Sequence, residues 1–594
     1  MTTSFETFLL LAPELVLFLA ALIAFLGSAF TGLRAGWLVA VSGLGIALIL
    51  SGGQPSGGAT ITSGPVTLDG FSAFIRMLTF TAGLVLSLVQ AGDRFRSAVQ
   101  TDSGRLQRHG SGEEAGTFLI LLAGLSIVGL ANDLVLLFVG LELVSIPTYI
   151  LLSLKRSDAA GQEASLKYFY LSLIASALFL YSVVCLYGLG GSTSLAAIGS
   201  QLRALGTGLV PGTNVAVVGT ITPSMAAVLL PVTLGMALAG AAFRMAAVPM
   251  HFYAPDVYQG TSPGNAAVLS TLPKVAGVVV LARVFALAVP PLGNGSPVGP
   301  VAETLLTELW HLVAVVAAIT MTVGNCMALM QNNLRRLLAC SSIAHAGYLL
   351  VGIAAAAAAS TAVGPMGEPT ASLDGLGATL FYLATYLAAT IGIFGGLTYL
   401  GHRWPEWSAT SQQRPPLEEI ETVDDLNGLA STNPVVAFSL AAFLLSLAGI
   451  PPFPGFWGKL SLVTSALSVD SGAAIFGDRQ SWLIGLTVVL VLNAAIAAGY
   501  YLRLITAMYF KTTDKGTQAD GGLSAGLAMV VCLLVVLSFS LRPRGLFTAA
   551  SQAGSTLSGA IVTDMNLISG NQPGSTHLLA HDSPAPAQST EEPR

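Results

Sequence analysis

The chain has 594 residues, of which 53% are hydrophobic and 9% are charged, with a formal net charge of −5 at pH 7. Because a soluble domain averages about 25% charged residues, this composition indicates an integral membrane protein. The sequence has neither a basic stripe nor a GxxxxGK[ST] loop, which argues against nucleic-acid-binding and P-loop nucleotide-binding proteins.

Stretches of about 20 predominantly apolar residues predict fourteen membrane-spanning helices. They lie near 8–30, 36–52, 71–92, 116–131, 133–153, 164–188, 226–250, 263–289, 309–330, 336–358, 376–400, 434–464, 481–507 and 522–541. The first follows an acidic N-terminus and is interpreted as a span rather than a cleaved signal peptide. Lysine and arginine are concentrated in alternate loops. This bias assigns those loops to the cytoplasm and both termini to the outer side of a bacterial inner membrane.

The spans fall into groups that predict the domain organisation. Three N-terminal helices and a polar cytoplasmic loop occupy 1–115, and two runs of five helices occupy 116–290 and 309–510. A last span lies in 520–542, and the polar tail 543–594 is predicted to be disordered.

Proline-containing interruptions occur at corresponding places in the two runs of five spans. They read "AAVPMHF" in the seventh span and "AGIPPFPGFWGK" in the twelfth. Interrupted helices at matched positions are typical of inverted repeats with ion sites at the breaks. The predicted fold is therefore an all-α polytopic membrane protein with two inverted five-helix repeats, each containing a broken helix.

The cysteines give no sign of a redox centre. All four lie in apolar stretches and no two form a CxxC pair: Cys185, Cys326, Cys340 and Cys532. This pattern predicts small buried side chains, with neither an iron–sulfur cluster nor a disulfide in this chain.

Five ionisable residues lie within the predicted spans, where a charge is costly and therefore indicates function. They are Glu142, Lys167, Arg244, Lys274 and Lys459. Removal from water disfavours the charged forms of lysine and glutamate, so such groups exchange protons readily. A series of them, with water between, forms a proton relay. The alternative is a set of structural ion pairs. We find few aromatic or amide side chains of the kind that would line a substrate pocket.

Several motifs closely resemble subunit N of bacterial respiratory complex I, the NADH-quinone oxidoreductase. They are "NDLVLLFVGLELVSIPTYIL", "EASLKYF", "VPMHFYAPDVYQGTSPGNAAVLSTLPKVAG", "NLRRLLACSSIAHAGYLLVG" and "LLSLAGIPPFPGFWGKL". The resemblance covers about 115–510. "HFYAPDVYQG" and "SSIAHAGY" are more similar to this subunit than to its paralogues L and M.

The resemblance implies a fold like that of Mrp-type cation/proton antiporters and a role as one proton-translocating unit of the membrane arm. It implies a translocase subunit without a redox centre, because NADH, FMN, the iron–sulfur clusters and quinone are bound by other subunits. Its expected partners are the other membrane-arm subunits, the lipid bilayer, protons and water.

The same resemblance assigns roles to individual residues. Glu142 matches the glutamate that pairs with the pump lysine, and Lys167 matches the sixth-helix lysine. Lys274 matches the central eighth-helix lysine, and Lys459 matches the twelfth-helix lysine of the exit half-channel. His345 is expected either to bridge the two halves or to be a packed, hydrogen-bonded residue.

Arg244 stands where the family usually has the seventh-helix lysine that pairs with Glu142. Because arginine does not cycle through a neutral form, it is expected to serve as a fixed counter-charge while other groups titrate. Two alternatives are a copy that pumps poorly and a variant complex whose electron donor is not NADH.

His251, Asp256 and Tyr258 follow the first break, and the sequence leaves open whether they take up protons or shape the loop. Two further hypotheses compete with the pump. One is an Mrp-type sodium/proton antiporter, and the other is a structural membrane-arm subunit that does not pump.

Overall fold

The computed structural model is predominantly helical. It describes residues 5–31, 35–54, 60–100, 111–155, 159–207, 223–288, 300–360, 375–403, 418–469, 479–512, 517–519 and 521–568. Part of the predicted loop 93–115 and residues 569–594 of the predicted tail lie outside these ranges.

The N-terminal part of the chain, up to Gly190, contains seven helices and one short hairpin. In chain order they are α1 (Phe5–Leu10), α2 (Ala12–Thr31), α3 (Gly36–Gly52), β1 (Ile61–Ser63), β2 (Val66–Leu68), α4 (Gly70–Gln100), α5 (Ser111–Leu130), α6 (Leu134–Lys155) and α7 (Ala159–Gly190). The two strands pair antiparallel, with Ile61 opposite Leu68.

The middle of the chain contains the first interrupted helix. Its elements are α8 (Leu195–Thr207), α9 (Pro223–Met245), α10 (Ala254–Gly260), α11 (Pro263–Ala288), α12 (Pro300–Leu329), α13 (Leu334–Ser360) and α14 (Gly375–Leu400).

The C-terminal part contains the second interruption and a small three-stranded sheet. Its elements are β3 (His402–Arg403), β4 (Glu418–Glu419), a 3-10 helix (Val423–Leu426), α15 (Leu429–Thr432), α16 (Pro434–Ala448), α17 (Pro454–Leu467), α18 (Arg479–Phe510), β5 (Thr517–Gln518), α19 (Gly522–Leu541) and α20 (Pro543–Ile568). Strand β3 is central and pairs antiparallel with β4 and β5.

Twelve helices within the described ranges are long and apolar enough to cross a membrane. Two shorter apolar helices, Gly36–Gly52 and Pro434–Ala448, occupy the positions of the second and twelfth predicted spans. The all-α polytopic membrane architecture is therefore confirmed, whereas the count of fourteen spans and the two inverted repeats stay predictions.

Both predicted helix breaks are present. Helix α9 ends at Met245 and α10 begins only at Ala254, while α16 ends at Ala448 and α17 begins at Pro454. The prolines between them cannot donate a backbone hydrogen bond, so the helical ladder stops there. Each break leaves carbonyl groups at the end of a half-helix without intrahelical partners.

Helical structure extends into two regions predicted to be loop or disordered tail. Helix α4 continues to Gln100, beyond the predicted end of its span at 92. The start of the tail forms α20, whose residues Ala550, Ala553 and Leu557 are buried. The prediction of disorder from 543 onwards was therefore wrong for 543–568. Its polar composition did not show that small apolar residues recur on one helical face.

The loops define two opposite ends of the helix bundle. One end, called the α20 end, carries the β1–β2 hairpin, α8 and α20. The other, called the α10 end, carries α10, the 3-10 helix and the three-stranded sheet, and the predicted topology assigns it to the cytoplasm. Helices α11 and α13 are surrounded by other helices along their apolar lengths. They hold Lys274 and His345 at the centre of the bundle.

Candidate functional site

The first break places Arg244 in the last turn of α9. Ala246, just after the helix, has φ 57°, in the left-handed region that is uncommon for a residue with a side chain. The Ala246 and Ala247 amides close the helix end by donating to Phe243 O (3.0 Å) and Ala242 O (2.8 Å). The chain then leaves the helix axis. The Arg244 side chain, one residue before the end of α9, is buried in the protein interior.

Arg244 contacts Glu142 of α6, as the family resemblance implied. Its Nη2 lies 3.5 Å from Glu142 Oε1 and donates to Ser145 Oγ at 3.1 Å, while Nη1 lies 3.5 Å from Gly240 O. The hydroxyl of Ser176 also donates to Glu142 Oε1, at 2.5 Å. The arginine side chain is 2% exposed and the glutamate side chain 27% exposed. The pair therefore lies between the bundle interior and the outer surface of this chain.

Three aromatic rings pack together at the end of α9 that carries Arg244. Tyr168, Phe243 and Tyr253 contact one another with ring centroids 4.7 to 5.7 Å apart. The Tyr253 hydroxyl donates to Phe243 O at 2.8 Å, which anchors the segment after the break to the end of α9. The Arg244 Nε is buried and has no hydrogen-bond partner among the residues that the structure describes. The protein thus holds this cation with few, mostly long, polar contacts.

Lys274 of α11 lies against the carbonyl end of the first half-helix. Its Nζ donates to Met245 O at 2.6 Å and to Ser342 O of α13 at 2.7 Å. The side chain is buried, and no acidic residue pairs with it among the described residues. The negative end of the α9 dipole is its main electrostatic partner within the membrane region.

Lys459 of α17 has an equivalent environment at the second break. Its Nζ donates to Leu447 O and Ala448 O, both at 2.9 Å, and these are the last residues of α16. Gly449, with φ 81°, turns the chain directly beside the lysine. A Cβ there would lie 2.8 Å from Lys459 Cδ. The glycine therefore serves both the left-handed conformation and the close approach of the lysine side chain.

His345 of α13 lies between the two lysines within a cluster of tyrosines. Its Nδ1 is 2.6 Å from Tyr382 Oη and its Nε2 is 2.9 Å from Tyr501 Oη. Tyr501 in turn shares a short hydrogen bond with Ser341 Oγ. Both ring nitrogens are thus bonded to hydroxyl groups, each of which can donate or accept a proton.

The titratable groups form a connected series across the centre of the bundle. Lys274 Nζ lies 6.0 Å from the centroid of the Tyr386 ring, and that ring lies 4.9 Å from the ring of His345. The His345 ring is 5.6 Å from the Tyr348 ring, over which Lys459 Nζ lies at 4.8 Å. The structure therefore brings Lys274, His345 and Lys459 into one polar and aromatic layer.

The tyrosines and amides of this layer were not identified from the sequence, which we expected to hold few such side chains. Asn325 donates to Tyr348 Oη at 3.1 Å and to Asn493 Oδ1 at 3.0 Å, and it accepts from Tyr500 Oη at 3.1 Å. A signal was available for part of the layer, since Tyr348 follows His345 by one helical turn. The residues of other helices come close only through tertiary packing.

Lys167 lies within its predicted span but apart from the central layer. Its side chain is 39% exposed, and its Nζ lies 2.6 Å from Glu163 Oε1 and 2.8 Å from Asp256 Oδ2. Lys167 is eight residues from the start of α7, which corresponds to about 12 Å along a helix. It therefore lies near the α10 end, a depth that an apolar stretch in a sequence does not specify.

Asp256 joins this ion cluster to the second half of the chain. Its Oδ1 accepts a hydrogen bond from Arg336 Nη1 of α13 at 2.7 Å, and the same Nη1 donates to Gln259 Oε1 at 2.9 Å. Burial disfavours the Asp256 carboxylate, but the hydrogen bonds from Lys167 and Arg336 outweigh this effect and lower its pKa. We call Glu163, Lys167, Asp256, Gln259 and Arg336 the rim cluster.

The residues after the first break differ in their surroundings. His251 is half-buried, and burial lowers the pKa of its imidazole. Tyr258 is buried, with its hydroxyl 3.4 Å from Ser342 Oγ in the central layer. Within the described ranges no group of three or more His, Cys, Asp or Glu side chains could hold a metal ion.

Comparisons with known proteins identify the family. Residues 131–481 match the family model described as the membrane region of NADH:quinone oxidoreductase and Mrp antiporters. This match covers more than half of the chain. The chain belongs to this family.

Curated relatives within the family carry the name NADH-quinone oxidoreductase subunit N. The protein of Desulfovibrio desulfuricans is 33% identical over 549 residues, which cover 90% of this chain and 94% of the relative. The protein of Paramagnetospirillum magneticum is 31% identical over 523 residues, which cover 88% and 91%. The similarity therefore extends beyond the shared antiporter-like region to most of the chain.

Solved structures share the antiporter-like fold. A chain of respiratory complex I from Thermus thermophilus is 26% identical, with a TM-score of 0.64 and coverage of 91% of this chain and 99% of that chain. A chain of the Mrp complex from Dietzia sp. is 21% identical, with a TM-score of 0.68 and coverage of 94% and 99%. The second similarity shows the fold alone.

Proposed function

We propose that this chain is a proton-translocating membrane subunit of a respiratory complex I, and that it couples electron transfer in other subunits to proton movement. The observation that supports this most directly is the buried series of titratable groups between two broken helices. It consists of Glu142 with Arg244, then Lys274, His345 and Lys459. The names of the curated relatives supply the electron-transfer partner reaction, NADH to quinone.

The two lysines are the groups that exchange protons in this proposal. An ammonium group has three N–H donors, and each lysine uses two of them on backbone carbonyls. A neutral amine still has two N–H donors, so the same carbonyls hold Nζ in both protonation states. The third donor position is then the one that receives or releases the transferred proton.

Two opposing effects set the free-energy difference between the charged and neutral forms of each lysine. Burial disfavours the ammonium form, because it removes the charge from water. The carbonyl end of a half-helix favours it, by about 0.3–1 kcal/mol at exposed sites and up to about 2 kcal/mol when partly buried. A small change in the nearby charge distribution then suffices to load or unload the proton.

His345 and its tyrosines provide the connection between Lys274 and Lys459. Both imidazole nitrogens contact tyrosine hydroxyls, so a proton that arrives at one nitrogen can be matched by release from the other. Hydrogen-bonded water would complete the steps between the lysines and this cluster. We assign His345 the bridging role rather than a purely structural one because it lies between both lysines.

Arg244 serves as a fixed counter-charge for Glu142. A guanidinium stays protonated, so it stabilises the ionised carboxylate without itself exchanging a proton. The Glu142 side chain is 27% exposed, which places its carboxylate where a neighbouring membrane-arm subunit can sense its charge. We infer that NADH, flavin, iron–sulfur clusters and quinone are bound by other subunits, and that none of the proton-transfer groups above belongs to a redox centre.

The proposal is tested by replacing each lysine in the complete membrane complex. In sealed vesicles, Lys274→Met and Lys459→Met should lower the number of protons translocated per electron while the complex still assembles. Lys511→Met is the matched control, because Lys511 is exposed and pairs with Asp424 at the α10 end. An unchanged proton-to-electron ratio in both buried-lysine variants would overturn the proposal and favour a structural subunit.

Sodium/proton antiport is a second candidate, favoured by the matching family model, whose description includes Mrp antiporters. It predicts cation exchange driven by an imposed proton gradient, without an electron donor. Proteoliposomes that contain the purified protein, loaded with a sodium-sensitive dye, distinguish the two. Sodium-dependent exchange that is lost in Lys274→Met would support antiport, whereas strict dependence on electron transfer would support the pump.

A further inference from the structure

An apolar groove of about 330 Å³ lies on the outside of the bundle, away from the proton-transfer groups. Helices α4, α14 and α19 form its walls and α20 contributes to its end. Its lining is Phe74, Met77, Leu78, Thr81, Ala82, Val85, Ala384, Leu387, Ala388, Ile391, Val531, Cys532, Val535, Phe539 and Leu546. The lining residues of α4 run from Phe74 to Val85, eleven residues apart, which corresponds to about 16 Å along a helix. The groove thus runs from the α20 end toward the middle of the membrane region.

The lining offers almost no polar group to a ligand. Its one hydroxyl, on Thr81, donates to Met77 O of its own helix at 2.7 Å. Cys532 adds a thiol, which behaves as a small apolar group when it is buried. The chemistry of the groove therefore selects hydrocarbon rather than a polar substrate.

The size of the groove favours a single hydrocarbon chain over a protein helix. A helix about 10 Å wide and 16 Å long would need about 1,200 Å³. A hydrocarbon chain at van der Waals contact is about 4.5 Å wide, so the same length fills about 250 Å³. The groove volume of about 330 Å³ is close to that of the hydrocarbon chain.

Two arginines lie at the α20 end of the groove. Arg542 follows α19 and Arg544 lies in the first turn of α20, between the lining residues Phe539 and Leu546 in the chain. Both are exposed, and neither forms an ion pair or a side-chain hydrogen bond with another described residue. A lipid fits this arrangement, because its phosphate would pair with the cations and its acyl chain would occupy the apolar groove.

The position of these arginines is set by close packing of α20 on the bundle. The rings of Phe547 and Phe381 are in edge-to-face contact, with centroids 5.7 Å apart. Gly377 of α14 approaches α20 so closely that a Cβ there would lie 2.8 Å from Ser551 Cα. The corner between α19 and α20 is therefore held over the groove.

We propose that this groove binds one acyl chain of an anionic phospholipid whose phosphate is bound by Arg542 and Arg544. The lipid belongs to the leaflet at the α20 end. It fills the space between α4, α14 and α19, and its headgroup ties α20 to the membrane surface. The site is independent of the proton-transfer groups.

Native mass spectrometry of the complete complex tests this proposal. The complex is reconstituted in phosphatidylcholine vesicles doped with phosphatidylglycerol, extracted in mild detergent and stripped stepwise of lipid. The wild type should retain phosphatidylglycerol on this chain. Arg542→Gln with Arg544→Gln should weaken retention about 30-fold, the factor expected for two cations near a membrane surface. The double lysine variant should restore it.

A groove-filling variant keeps the test decisive without a change of charge. Ala388→Phe places a ring within the groove and should also abolish retention. Leu534→Phe is the matched control, because Leu534 is 61% exposed on α19 outside the groove. Equal retention in all variants, or equal retention of neutral and anionic lipid, would overturn the proposal. So would a partner subunit cross-linked to Cys532 in the wild-type complex.

Discussion

Replacement of Arg244 tests whether a cation that does not titrate can serve a proton pump. Arg244→Met removes the charge but retains an unbranched apolar side chain, whereas Arg244→Lys keeps a cation and introduces the residue that the family resemblance implies for this position. If the arginine acts only as a counter-charge, the lysine variant should pump as well as the wild type. The methionine variant should lose much of the translocation contributed by this subunit.

The geometry gives the size of the expected effect. At 3.5 Å and an effective dielectric constant of about 20, the Arg244–Glu142 attraction is about 4.7 kcal/mol. Since the glutamate is 27% exposed, solvent screening makes this an upper figure. It agrees with the cost of about 3–5 kcal/mol for removal of one partner of a buried ion pair. An uncompensated Glu142 carboxylate should therefore take up a proton and become neutral in Arg244→Met.

Infrared spectroscopy and proton counting measure the two consequences separately. The Arg244→Met complex should show an additional carbonyl band of a protonated carboxyl group, which disappears in the Arg244→Met/Glu142→Gln double variant. Its proton-to-electron ratio in sealed vesicles should fall while electron transfer continues. A full ratio together with the new band would refute the counter-charge role, because pumping would then proceed with Glu142 held neutral.

Three further predictions concern other parts of the site. His345→Phe should lower the proton-to-electron ratio without loss of assembly, as measured in the same vesicles. Gly455→Ala, whose Cβ would overlap Ser446 O, should reduce the yield of assembled complex on native gels, whereas Gly485→Ala has open space and should not. Asp256→Asn should lower the melting temperature at neutral pH, because the lowered pKa of Asp256 stabilises the fold above its unfolded value of about 3.9. The difference between the variant and the wild type should narrow as the pH falls below that value and vanish below the folded pKa.

The sequence was sufficient to locate the charges and breaks that determine the site. Pro249, and the prolines at 451, 452 and 454, marked both breaks in the sequence. Proline alone does not place a break, because Pro147, Pro231 and Pro273 lie inside continuous helices. The pairing of Arg244 with Glu142 followed from the family resemblance, and the structure places the two side chains in contact.

Depth and lateral packing could not be predicted in the same way. Lys167 lies in an apolar stretch, but its distance from the start of α7 places it near the α10 end. It therefore pairs with Glu163 and Asp256 of the rim cluster. The partners of His345 come from helices 37 and 156 residues away in the chain. The periodic spacing of apolar residues in a sequence indicates which face of a helix is buried. It does not identify the helix that packs against that face.

Helix α20 shows a related limit of composition. The segment after 542 is polar enough to be predicted as disordered, but three small or apolar side chains on one face are sufficient to bury it against α4 and α14. Close approach at Gly70 and Gly377 permits this packing, since a Cβ at either position would overlap α20. The packing of the segment therefore depends on glycines far earlier in the chain, at 70 and 377.

The two breaks produce one electrostatic environment from different chain segments. At the first, the half-helix that ends at Met245 binds a lysine from the next long helix, Lys274. At the second, the half-helix that ends at Ala448 binds Lys459, which belongs to the other half of the same interrupted helix. Since sequence similarity between the breaks is weak, their common feature is the exposed carbonyl end rather than any residue pattern. A lysine without a carboxylate partner can be held there in both protonation states, and that is the property a proton pump requires at its centre.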